Sequence, residues 1–141
     1  MTRESIYTAL FAKLSGIPGL VTCSRRLKYW SDVSPIQQPA MFVTVGSQHV
    51  RQIKGFPSQY DLIAKVWIYT HSTDPSVSPA TALNNLLDQV DSVLKPAAPQ
   101  DKQTLGGLVE HCWIDGEIET FEGGLGEQEV AVFFIKISTT T

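Results

Sequence analysis

The side chains of this chain that can do chemistry are few and scattered. His49, His71 and His111 are its histidines, and Cys23 and Cys112 its cysteines. Only His111 and Cys112 are neighbours, and adjacent residues on a strand point to opposite faces, so the pair makes a poor zinc site. Asp115, Glu117 and Glu119 recur at a spacing of two, which puts three carboxylates on one strand face. Paired carboxylates are the raw material of general acid–base catalysis, but these have no basic or metal-binding partner in sequence, and a row of like charges serves equally as a solvated stripe. The run Gly123-Gly124-Leu125-Gly126 has the glycine content of a phosphate cradle, yet it separates two strand-like segments and offers no helix N-terminus. No G-x-S-x-G, P-loop, C-x-x-C or H-E-x-x-H occurs. No catalysis, cofactor or metal is expected; a small-molecule-binding enzyme of unknown reaction is the alternative outside the structural class.

What remains is surface chemistry, and the charges are unevenly placed. Residues 1–65 carry eight Lys/Arg against three Asp/Glu, and residues 66–141 carry three against eleven. A basic end and an acidic end can be plain solvated surface, or can let one copy meet the next head to tail. Arg25, Arg26 and Lys28 fall within a strand-like stretch, Leu20 to Tyr29, where they read as the guard of an edge strand more readily than as a nucleic-acid patch.

The elements that position these groups follow from periodicity. Ile6, Tyr7, Leu10, Phe11 and Leu14 make one stripe of a helix over 3–15, with Thr2 as N-cap and Gly16-Ile17-Pro18-Gly19 as its stop. Ser78 and Pro79 open a second helix whose Leu83, Leu86, Leu87, Val90 and Leu94 share a face. A long hairpin over 40–71 is expected between them: Met41, Val43 and Val45 look inward, as do Leu62, Ala64, Val66 and Ile68. Its connection, with Arg51, Lys54 and Phe56, reads as a projecting arm or a mobile loop. Residues 96–107 read as an exposed linker, followed by a strand from Leu108 to about Glu119 with Cys112, Ile114 and Ile118 inward. The closing strand, Glu129 to Ser138, is apolar on both faces, which marks a central position; Thr139 to Thr141 are expected to fray. The predicted fold is α+β: a single domain over 1–141 with about five mostly antiparallel strands and two helices on one face, in the order α-β-β-β-α-β-β.

In that arrangement Trp67, Tyr69, Trp113 and Phe134 lie on the sheet face the helices do not cover. An aromatic patch among charges marks an interaction surface, unless residues 31–39 and 96–107 fold over it. With 43% hydrophobic and 18% charged residues the composition is that of an ordinary globular chain. No apolar run approaches the ~20 residues of a membrane span, and Arg3 and Glu4 precede a broken amphipathic pattern in place of a signal sequence. No membrane partner is expected, and the protein is expected to stay in the cytoplasm where it is made, with its cysteines reduced.

The N-terminal helix, the segment Gln38-Pro39-Ala40-Met41-Phe42-Val43, the hairpin with Tyr60-Asp61-Leu62-Ile63, the Ser-Pro-initiated helix and the last strand Glu129 to Ile135 together resemble the tail terminator proteins of tailed bacteriophages, similar to minor tail protein U. The resemblance spans nearly the whole chain, by element order and pattern. It implies a structural protein of the virion tail: a homo-hexameric ring on the last ring of tail tube protein, which ends tube polymerisation and presents a surface to the neck and head-completion proteins. DNA passes through such a ring without specific binding. The resemblance assigns Arg51, Lys54 and Phe56 at the hairpin tip, with Trp67, Tyr69, Trp113 and Phe134, to subunit or tube contacts, and Asp115, Glu117 and Glu119 to an acidic channel lining. Another phage neck or tail-completion component fits the same pattern.

Overall fold

The computed structural model describes residues 1–121 and 126–141. Its elements are α1 (Arg3–Ser15), β1 (Thr22–Ser24), two 3₁₀ turns (Trp30–Asp32 and Pro35–Gln37), β2 (Ala40–Arg51), β3 (Gln59–His71), α2 (Pro79–Val93), β4 (His111–Phe121) and β5 (Gln128–Thr140). The glycine-rich turn lies outside the described residues but for Gly126 and Glu127. The five strands form one sheet in the order β1-β2-β3-β5-β4, antiparallel except for the parallel β1–β2 pair. The expected α+β fold is thus the one observed, with β5 an interior strand between β3 and β4. No helix among the described residues is long and apolar enough to cross a membrane.

Both helices pack on one face, as their stripes require. Ile6, Tyr7, Leu10 and Leu14 of α1 and Leu83, Leu86 and Val90 of α2 are buried against Leu62, Ala64, Val66 and Ile68 of β3 and Ala131, Phe133, Ile135 and Ile137 of β5. The Ser78 hydroxyl accepts the Ala80 N–H and caps α2; Thr2 makes no such side-chain bond at the start of α1.

Several boundaries differ from expectation, each for a local reason. The strand expected over Leu20–Tyr29 shrinks to three residues, because the Ser24 hydroxyl accepts the Arg26 N–H and turns the chain out of the sheet. Val45 lies opposite Ala64 on the inward side, as expected, yet is 52% exposed; the β2–β3 register shifts just beyond it, between Val45 and Gln48. Gly46 sits in that shift, so close to Ile63 that a Cβ would lie 2.8 Å from its Cγ2. Ile118, expected inward, is 39% exposed and falls within a register shift between Asp115 and Glu119, where Gly116 has φ +79°.

Residues 96–107 are less of a linker than expected. Leu105 is buried in the core, the Gln103 amide donates to the carbonyls of Val93 and Lys95, and the Gln103 carbonyl accepts the Cys112 N–H at 2.9 Å. Nor does the C-terminus fray: Thr139 is buried, Thr140 pairs with Gln59, and the Thr141 N–H donates to the Ser58 carbonyl at 3.1 Å.

Candidate interaction surface

The sheet face away from the helices is divided in two by the chain between β1 and β2. Residues 28–38 cross it at the end where β2 begins. Beneath them lies a second small core of Val33, Ala40, Phe42, Tyr69, Val130 and Val132, with Trp30 and Trp67 packed at its margin. Tyr69, expected in an uncovered patch, is 1% exposed; its hydroxyl donates to the Lys28 carbonyl at 2.8 Å, and its ring lies 5.5 Å from that of Phe42. Burial pushes its phenol up to about 12, with Tyr29 a lesser cause. The crossing segment is clamped by a reciprocal amide pair. Gln38 Nε2 donates to Gln128 Oε1 at 2.9 Å and Gln128 Nε2 to Gln38 Oε1 at 3.0 Å, while Gln128 also donates to the Thr70 carbonyl. Both glutamines are buried, so these bonds stand in for the water they have lost.

The other half of the face is open, and Lys65 stands at its middle. Its Nζ lies 4.2 Å from the centroid of Trp67 and 5.6 Å from that of Phe134, positions that favour a cation over each ring. The Trp67 indole N–H reaches the Thr44 hydroxyl at 3.4 Å. On one side of Lys65 is a groove of about 360 Å³ walled by Tyr29, Trp30, Trp67, Glu119 and Phe121. On the other is one of about 540 Å³ bordered by Ser47, Ile63, Asp115, Glu117, Glu119 and Phe134. The three carboxylates, which in sequence have no basic partner, therefore share a groove with a lysine.

Trp113 stands apart, half-buried on β4. It stacks on His111 at 4.9 Å and donates to Asp115 Oδ1 at 3.3 Å. His111 Nδ1 accepts the Gln103 N–H at 3.0 Å, which gives this histidine a structural task. At the opposite end of the sheet, β2 and β3 stay paired out to Arg51 and Gln59. Only residues 52–58 protrude, with Phe56 70% and Ile53 51% exposed. Lys54 belongs to this tip, well removed from Trp67 and Phe134.

The patch thus resolves into parts. Trp67 and Phe134 come together around Lys65, Tyr69 is core, Trp113 borders the edge, and Arg51, Lys54 and Phe56 form a separate tip. Its spacing of two from Trp67 gives Lys65 the same face in sequence, but sequence reasoning assigned it no contact role. It also missed Tyr29 and Trp30, which reach their groove through a chain reversal that carries no periodic signal, and Phe121, which lies two residues beyond the expected end of its strand.

The thiols show no activation. Burial pushes Cys112 up to about 11 and raises Cys23 as well, so both are protonated near neutrality and poor nucleophiles. Among the described residues no three His, Cys, Asp or Glu side chains group as metal ligands.

No protein family profile matches this chain, and no curated protein sequence matches it. Among solved structures, it is similar in fold to a chain of the virion of a native gene transfer agent particle, with a TM-score of 0.56, 10% identity, and coverage of 96% of this chain and 95% of that one. At that identity the likeness establishes a shared fold from end to end.

Proposed function

We propose that this protein is a tail terminator of a phage-like particle. It forms a ring on the end of the tail tube, stops tube polymerisation and presents its other side to the neck and head-completion proteins, while DNA passes through unbound. The role is structural and non-catalytic, and its site is the virion tail. The observation that carries the reading is the likeness in fold, over nearly the full length of both chains, to a component of a phage-like virion. It joins the terminator-like order of elements in the sequence and an open face that sets Trp67 and Phe134 beside a solvent-facing cation. An apolar surface left among charges on a small chain suits a partner that covers it. In this reading the open face and the tip at Arg51, Lys54 and Phe56 meet the tube, with Trp113 nearer the subunit boundary.

The test is tube growth. Purified tail tube protein polymerising with and without this chain is measured by negative-stain electron microscopy. Tubes that stop short, each with an added ring at one end, are expected. Tubes of unchanged length, with this chain binding neck proteins instead, would replace the reading with that of a neck component.

A further inference from the structure

Two parts of this molecule match each other in charge and in apolar character, and one chain cannot bring them together. The first is the tip between β2 and β3. Phe56 and Ile53 are exposed there, with Arg51 and Lys54 exposed beside them in sequence. No Asp or Glu occurs between Gly46 and Tyr60, so the tip is wholly basic. Among the described residues neither Arg51 nor Lys54 makes an ion pair. An apolar side chain among unpaired cations suits a surface that is apolar with carboxylates around it.

The open face holds such a surface. The groove of about 540 Å³ on the Phe134 side of Lys65 is lined by Phe134, Val132 and Ile63, with Asp115, Glu117 and Glu119 along its β4 wall. Asp115 pairs with Phe134 and Glu119 with Val132, which sets both carboxylates beside the apolar floor. All three carboxylates are exposed and make no ion pair among the described residues. They outnumber the one ammonium of the groove, Lys65, which lies over the rings of Trp67 and Phe134. The groove thus offers a cleft for an aromatic side chain and anions for the cations next to it.

A chain's own tip does not reach this groove. From Gln59 to Lys65 the strand covers about 20 Å, β2 and β3 stay paired out to Arg51 and Gln59, and residues 52–58 lead farther away. The occupant that fits is the tip of another copy.

We propose that two free copies exchange tips, the Phe56 of each seating against Phe134 in the groove of the other, with Arg51 and Lys54 beside Asp115, Glu117 and Glu119. Tip and groove belong to the same chain, so a two-fold axis makes both contacts at once and closes the pair. Burial of the aromatic ring supplies affinity, and the charges choose the partner. Tip against tip sets cations against cations, and groove against groove sets carboxylates against carboxylates, so the exchange is the attractive arrangement. In the pair each copy hides surfaces that the other would turn to the tube. The protein is then held off the tube until the tube end displaces the tips, a consequence that rests on the reading above.

The experiment is a charge swap read by sedimentation equilibrium across a concentration series. The wild type passes from monomer to pair. R51E/K54E and E117K/E119K each pair at least about a hundredfold more weakly, because like charges now oppose at both contacts. Mixed in equal amounts the two variants pair with each other, since each tip again meets a groove of opposite sign. Phe56→Ser weakens pairing at least about tenfold with the charge unchanged. These side chains are all exposed, so an unchanged thermal unfolding midpoint checks that the variants fold. A pair that persists in either charge variant overturns the exchange, as does a mixture that stays monomeric. A wild type that is monomeric up to its solubility limit also overturns it, and if that wild type still shortens tubes the terminator reading stands. Charge-governed pairs beside tubes of unchanged length support the exchange and remove the tube role.

Discussion

The two halves of the outer sheet face are built from the same strands and end up in opposite environments. On β3, Tyr69 and Lys65 share this face four residues apart; Tyr69 is sealed under residues 28–38, and Lys65 stands in the open between two rings. On β5, Val130 is 4% exposed and Phe134 is 40% exposed. Strand alternation decides which side of the sheet a residue takes. Whether that side is dry depends on what the rest of the chain lays over it. The covered half has polar groups matched to its dryness, the Gln38–Gln128 pair and the Tyr69 hydroxyl, whereas the open half pairs apolar rings with charges, as a surface awaiting a partner does.

The broadest version of this contrast sets the helix-covered face against the open half. Phe133 and Phe134 are adjacent on β5, the first fully buried among the helices and the second on the open side. Phe133→Ala removes a packed ring from the core and should cost about 3–5 kcal/mol in urea unfolding. A loss below about 1 kcal/mol would mean that the helix face does not carry the stability its packing implies.

How much of this was legible in the sequence follows from the range of each signal. Helix α2 was readable to within a residue because Ser78, Pro79 and the leucine stripe all act within a few positions. The inward sets of β3 and β5 were readable for the same reason. The exposure of Val45 and Ile118 was not, since it depends on the shifts at Gly46 and Gly116 and on what covers those strand stretches, which other parts of the chain decide. The cover over Tyr69 was foreseen only as an alternative. It depends on a glutamine pair 90 residues apart in sequence, Gln38 with Gln128, which no local pattern announces. The outer aromatics were correctly placed on one face, but a face has length, and alternation says nothing about which end is covered.

Within the outer face, Tyr69→Phe tests the covered end. It removes the bond to the Lys28 carbonyl and leaves the ring, at a cost of about 0.5–1.5 kcal/mol near neutrality. The pH dependence is more telling. The folded chain holds the phenolic proton up to about 12, whereas an unfolded tyrosine loses it near 10. Stability contributed by this group is therefore complete below about pH 10 and lost as pH rises through about 12. Urea midpoints taken across that window should fall more steeply for the wild type than for Tyr69→Phe. Parallel curves would mean that the covering segment does not shield the phenol.

The smallest stability change, and the sharpest distinction, is expected at Phe134. Its ring is 40% exposed and the Lys65 ammonium lies 5.6 Å from its centroid, so Phe134→Ser should shift unfolding by less than about 1 kcal/mol. If the open half is a contact surface, the same substitution should nonetheless abolish the shortening of tail tubes, because a ring that is nearly free in the monomer is buried only against the partner. A variant that folds and still stops tubes would remove the open face from the contact and leave the tip at Phe56 as the part that meets the tube. A variant destabilised as much as Phe133→Ala would show that both halves of the outer face are covered in solution. The comparison between them would then reduce to a difference in packing.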